Sequence, residues 1–215
     1  MLSQIVLQTV ISKKHMQLID DQDKTRIVQI LSNSFQSNPN ILAIVKPGSN
    51  VNDRVTRLCE FCVDLAHQRV GVFKSYDACG AVLMFRNDKK IGVFSLISLY
   101  IRLGNLCVGW DRAIAMLKRE SLIKSRRYSE PHLYFWMLAI IGSNHVHTIK
   151  EIKKESFEIS KSLRLPIVAE TSDEKMKRVY TGRYGFELYN QIRFEKENYT
   201  LWFFIRHYDC NVGVQ

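Results

Sequence analysis

Residues 132–174 read HLYFWMLAIIGSNHVHTIKEIKKESFEISKSLRLPIVAETSDE. The continuous apolar run from Leu133 to Ile141 predicts a buried strand, and a polar turn follows it. Apolar residues then recur on a 3.6-residue period, which predicts a helix of about four turns. Pro166 to Ala169 is a second short apolar strand, and Glu170-Thr171-Ser172 leads into another helix. A strand, crossover helix, strand unit builds parallel pairing. Backbone N–H groups at a helix start are unpaired, so an anionic ligand would sit where the first strand hands over to the helix.

Downstream of this unit, Thr171 with Glu174 forms a capping box that opens a helix carrying Met176, Val179 and Tyr180. Tyr184-Gly185-Phe186 ends that helix, and Glu187–Phe194 and Tyr199–Arg206 read as a closing hairpin across the turn at 195–198. Upstream, Lys124 to Pro131 is a basic loop, and Val93 to Leu122 reads as two helices broken near Gly104 or Gly109. Gly71–Tyr76 and Gly80–Phe85 are two short strands joined through Asp77-Ala78-Cys79. Before them come an amphipathic helix over Lys24–Gln36 with Asp23 as N-cap, a short helical piece over Asn40–Val45, and a helix over Asp53–Val70. The order predicts an α/β fold, a central mixed sheet flanked by helices, in a single domain spanning residues 1–215.

The composition agrees with a large buried core: 46% of residues are hydrophobic and 24% charged. No apolar stretch reaches the roughly 18 residues that span a bilayer. The N-terminal stretch MLSQIVLQTVISKK carries its positive charge after its apolar part, unlike a signal peptide. Five scattered cysteines suit a reducing compartment, so a cytoplasmic location and no membrane partner are expected. The net charge is +10, but acids are interleaved with the bases, as in Lys150-Glu151-Lys153-Lys154-Glu155, and no nucleic-acid motif accompanies them. No specific nucleic-acid partner is expected.

The order and the residues together resemble the GNAT superfamily of acyl-CoA-dependent N-acyltransferases. His132–Ile140 is similar to that family's aromatic-rich central strand, and Glu170-Thr171-Ser172, Tyr180 and Gly185-Phe186 are similar to its later "ETS…Y…GF" segment. The resemblance implies that the central strand and the next one splay apart around the pantetheine arm of acetyl-CoA or another acyl-CoA. It also implies pyrophosphate binding at the following helix start. The family's Gln/Arg-x-x-Gly-x-Gly/Ala motif falls here on His145, Thr148 and Lys150, and neither glycine is present. The tyrosine also precedes the Gly-Phe pair by one residue more than in the family.

On this resemblance, Met137, Leu138 and Ile140 of the strand and His145, Val146, His147, Thr148, Ile149 and Lys150 of the helix start would hold the acyl-CoA. Thr148 is the expected N-cap. Strand amides near Met137 and Leu138 would polarise the thioester carbonyl. Tyr180 would be the general acid towards the leaving thiolate, unless its ring simply packs on the sheet. His132 would relay a proton from the amine, or stand as a solvated strand end. The acceptor would be a small-molecule or peptide amine and the assembly a homodimer, and the alternative is a GNAT-fold binding or interaction module that has lost turnover. Glu170 reads as a general base or a structural residue near the next helix, and Phe35–Lys46 as a shaper of the acceptor site. His145 and His147 have no further ligand at a metal spacing, and Cys59-x-x-Cys62 is expected to pack within its helix, so no metal is expected.

Overall fold

The computed structural model describes residues 16–69, 71–89, 92–142, 145–195 and 197–210. The strands are β1 (Met16–Leu18), β2 (Val72–Ser75), β3 (Gly80–Arg86), β4 (Leu133–Ile140), β5 (Ile167–Thr171), β6 (Glu187–Phe194) and β7 (Tyr199–Arg206). They form one sheet in the order β1-β2-β3-β4-β5-β7-β6. Among the described residues only β4 and β5 pair in parallel, as the crossover predicts, and the other neighbouring pairs are antiparallel. The fold is therefore the expected mixed α/β sheet with helices on both faces.

One face carries α1 (Lys24–Phe35), α2 (Pro39–Ile44), α3 (Val51–His67), α4 (Val93–Leu103) and α5 (Trp110–Arg126). Ile27, Ile30 and Leu31 of α1 lie on one helical stripe and are buried against Val55, Cys59, Phe61, Cys62 and Val63 of α3 and against the sheet residues Ala81, Leu83, Phe85, Tyr134 and Ala139. The Cys59–Cys62 pair is packed here as expected, and burial pushes the Cys59 thiol up to about 12, which keeps it protonated and inert. The opposite face carries α6 (His145–Leu163) and α7 (Glu174–Arg183). Ile152 and Ile159 of α6 meet Val82, Met84, Leu133, Ile167 and Phe204 there.

Several local expectations change. Asp23 makes no cap bond; both its carboxylate oxygens instead accept from Lys74 Nζ at 2.7 Å. The Thr171–Glu174 capping box is replaced by Asp173, whose carboxylate accepts from Lys175 N at 2.7 Å, because Thr171 is drawn into β5 opposite Trp202. Lys124 and Arg126 are helical rather than in a loop. Helix α4 runs into a π-helical turn, Gly104–Val108, and the chain breaks at Gly109, whose φ of +80° is a backbone state that side chains disfavour.

Candidate functional site

The bond register between β4 and β5 opens a fork. The two strands pair only at Leu133↔Ile167, Tyr134↔Val168 and Phe135↔Ala169. Beyond Phe135, β4 continues to Ile140 beside β3, while Glu170 and Thr171 of β5 pair with Phe203 and Trp202 of β7. Among the described residues, one side of β4 therefore has no strand partner from Trp136 onward.

A bulge sets which main-chain groups face the fork. Leu83 opposes Met137 and Met84 opposes Phe135, so Trp136 is an extra residue in β4. The side chains of Trp136 and Met137 both pack on the α1/α3 face, whereas Phe135, Leu138 and Ile140 pack on the α6/α7 face. After the bulge, Ile141 N donates to Cys79 O, on the β3 side. Alternation along the strand then turns the N–H groups of Leu138 and Ile140 to the fork, and that of Met137 towards β3. Of the two strand positions expected to hold a carbonyl, Leu138 is the one aimed at open space.

Helix α6 begins near the open end of the fork. His145, Val146, His147 and Lys150 are exposed, and His147 Nδ1 lies 3.5 Å from Glu151. Thr148 is not the N-cap, since the helix already starts at His145. It is fully buried, with Oγ1 donating to Asp77 Oδ2 at 2.9 Å. Asp77 Oδ1 accepts from Ser75 Oγ at 2.5 Å and from Cys79 N at 3.1 Å. A Cβ at Gly80 would lie 3.0 Å from Ile152 Cδ1 and 3.2 Å from Thr148 Cγ2, so glycine lets the β2–β3 hairpin approach the first turns of α6. Partial burial pushes the Asp77 carboxyl up, but its donors Ser75, Cys79 and Thr148 outweigh this and hold it below the usual range. That contribution is present above the unfolded value and is lost as the pH falls from there through the lower folded one. Thr148→Val is expected to cost about 0.5–1.5 kcal/mol, read by urea unfolding near neutral pH, because the exposed Asp77 carboxylate loses one of its donors while water still reaches it. A cost that persisted unchanged at pH 3 would contradict this origin.

Tyr180 projects from α7 onto the same face as Leu138 and Ile140. Its ring centroid is 5.1 Å from that of Phe186 and 5.3 Å from that of Phe204. Burial pushes its hydroxyl up to about 12, so it is protonated across the physiological range.

His132 departs from both of its expected roles. It is fully buried, not solvated, and it precedes the closed end of the fork, about 16 Å along the strand from Met137. Its Nδ1 lies 2.7 Å from Glu130 O, its N–H donates to Asn87 Oδ1 at 2.8 Å, and burial lowers its pKa. It is a strut between the 86–88 turn and β4, remote from Leu138.

The sequence reading missed a buried polar cluster at the crotch of the fork, on the α1/α3 face. Glu170 Oε1 accepts from Arg127 Nε at 2.5 Å, and Oε2 accepts from Tyr134 Oη at 3.2 Å. Arg127 Nη2 donates to Tyr134 Oη at 3.1 Å, its Nη1 lies 3.3 Å from Glu120, and its guanidinium stacks 4.3 Å from the Tyr134 ring centroid. Burial pushes the Glu170 carboxyl up, against the pull of Arg127. Glu170 is thus tied on both oxygens, as a structural residue would be. Among the described residues, no cluster of His, Cys, Asp or Glu has the makings of a metal site. None of their helices is long and apolar enough to cross a membrane.

A mixed sheet forked at the parallel β4–β5 pair, with a helix start at the open end, defines a class of fold. Solved structures identify it. No family model and no curated protein matches the chain. The C-terminal condensation domain of Ebony, solved with β-alanyl-dopamine, superposes with a TM-score of 0.61 at 10% identity, over 89% of this chain and 97% of that one. A histone acetyltransferase HPA2-related acetyltransferase from Corynebacterium glutamicum gives 0.59 at 16% identity, over 87% and 93%. A mosquito arylalkylamine N-acetyltransferase-like protein gives 0.53 at 13% identity, over 89% and 98%. The chain has the fold of the GNAT acetyltransferases.

Proposed function

We propose that the chain is an acyl-CoA-dependent N-acyltransferase that transfers an acetyl or related acyl group to a primary amine of a small molecule or peptide. The observation that carries the reading is the fork: three paired residues, then a β4 edge unpaired among the described residues, towards which alternation turns the Leu138 and Ile140 amides. An extended chain of amides, such as a pantetheine arm, fits beside such an edge as an added strand does. The fold neighbours named as acetyltransferases support the same reaction class, and those named for dopamine conjugates and arylalkylamines support an amine acceptor.

The co-substrate would supply an acyl group already activated as a thioester. The Leu138 N–H would donate to the carbonyl oxygen as negative charge builds on it. The incoming amine must be neutral to attack; as the C–S bond breaks, Tyr180, protonated and on the same face as Leu138, would give its proton to the departing sulfur and regain one, through water, from the nitrogen of the adduct, which becomes the amide. His145, His147 and Lys150 are exposed at the start of α6, where polar and cationic side chains beside the first-turn N–H groups suit a pyrophosphate. Glu170 has no part in this scheme.

A second reading, a GNAT-fold binding module without turnover, is favoured by Asp77. Its carboxylate is held against the first turn of α6, where an incoming phosphate would meet a like charge. Calorimetric titration with acetyl-CoA and with CoA at low salt separates the two. The transferase reading expects a micromolar Kd, about −8 kcal/mol. Absence of heat and of any thermal shift at millimolar ligand would leave only the module.

A further inference from the structure

Helix α4 is apolar on both of its faces. Leu99 and Leu103 are buried against the core, yet Phe94 is 90% exposed, Ile97 50% and Ile101 45%. These three residues lie at spacings of three and four on one stripe, and the next position on it is Gly104. The Trp110 ring lies against Gly104, where an added Cβ would meet it at 3.3 Å. Trp110 is itself 55% exposed and opens a second stripe on α5, through Ile114 and Leu117, both also exposed. One apolar ridge therefore runs along α4 and crosses to α5 at the glycine. Six exposed apolar side chains along one ridge mark a docking site.

Its surroundings decide what docks. Between Arg86 and Arg127 ten Lys and Arg stand against three Asp and Glu, so about one-fifth of the sequence accounts for +7 of the chain's +10 net charge. Lys118 and Lys124 are both exposed, the first beside the α5 stripe and the second on its continuation, whereas Arg102 beside the α4 stripe is held by Asp64 at 3.1 Å and lies 4.0 Å from Glu60. Among the described side chains of the two helices, the acid Glu120 is engaged by Arg127. Two copies of this face would set like charges against each other, whereas an anionic surface would be drawn to it. Aromatic and aliphatic side chains bordered by long cationic ones match the interface of a bilayer, where the rings enter the acyl boundary and the amines reach the headgroups.

We propose that the α4–α5 ridge docks the protein on a lipid surface bearing anionic headgroups, with Phe94, Ile97, Ile101, Trp110, Ile114 and Leu117 inserted and Lys118 and Lys124 on the headgroups. This departs from the expectation, drawn from the sequence, of no membrane partner. It requires no transmembrane helix, and it is independent of acyl-CoA binding.

The test is cosedimentation of the full chain with phosphatidylcholine vesicles, pure or with roughly 30 mol % phosphatidylserine. The expected result is binding to the anionic vesicles alone, with a blue shift of tryptophan emission and a decline as salt rises. Phe94→Glu should abolish binding with an unchanged Tm, since that side chain touches little. Lys118→Glu and Lys124→Glu should each weaken it at least about fivefold. Equal binding to pure phosphatidylcholine, insensitivity to Phe94→Glu, or no binding would overturn the proposal. So would a concentration-dependent dimer that Phe94→Glu dissociates and vesicles do not compete with, which would assign the ridge to a second copy.

Discussion

Arg127→Met is expected to lower the unfolding free energy by about 3–5 kcal/mol, the loss typical of a buried carboxylate stripped of its cation. Glu170 has only 10% of its side chain exposed and takes one of its two hydrogen bonds from this guanidinium. Methionine keeps much of the volume and the contact with the Tyr134 ring but supplies no donor. For a chain of this length the loss corresponds to a fall in Tm on the order of 10 °C. The double variant Arg127→Met/Glu170→Gln should recover much of it, because the uncompensated charge is then gone and Tyr134 still has an oxygen to donate to. The pH dependence supplies a check that simple loss of packing would not give. Burial already raises the folded-state pKa of Glu170 above its unfolded value, and removing Arg127 raises it further. A carboxyl of this kind binds more protons when folded, so stability falls as the pH rises from the unfolded value through the folded one. The variant should therefore be least impaired near pH 4 and progressively worse towards neutrality. A loss below about 1 kcal/mol with no such slope would mean that the pair contributes little.

The Arg127–Glu170–Tyr134 cluster also shows why part of the site was illegible in the sequence. Glu170 stands 43 positions after Arg127. Nothing in a basic run such as Lys124-Ser125-Arg126-Arg127 says which member turns inward. Local periodicity did reveal β4, α6, β5 and the closing hairpin, because each is a continuous apolar or alternating run that one element can bury. It could not reveal the bulge at Trp136. LYFWMLAI is apolar at every position, so a slip in facing leaves no trace in the pattern, although it decides that Leu138 rather than Met137 faces the fork. Three-residue β1 is too short to show a period, and it is held by its pairing with β2. Thr148 lies inside the first turn of α6 rather than at its cap, and its partner Asp77 lies 71 positions away on a hairpin, so its role as a latch is a product of topology.

Tyr180→Phe is the substitution with the largest expected effect on activity, a fall in kcat of roughly 10²–10⁴-fold, the range associated with a positioned proton donor. Phenylalanine preserves the contacts with Phe186, Phe204 and Tyr184 that hold the ring, so folding and the Kd for acetyl-CoA should be nearly unchanged. That separation matters, because the packed ring alone is compatible with a merely structural tyrosine. If packing is its whole purpose, the variant will turn over like the parent protein. The folded-state pKa near 12 sharpens the distinction. A donor with that value stays protonated well beyond pH 9, so kcat in the parent protein should show no alkaline decline from this group below about pH 11, while the acid side should rise as the amine loses its proton. An alkaline limb near pH 9, retained in Tyr180→Phe, would assign the proton to some other group. The fork would then keep its role in binding, and Tyr180 would revert to a packing residue of α7.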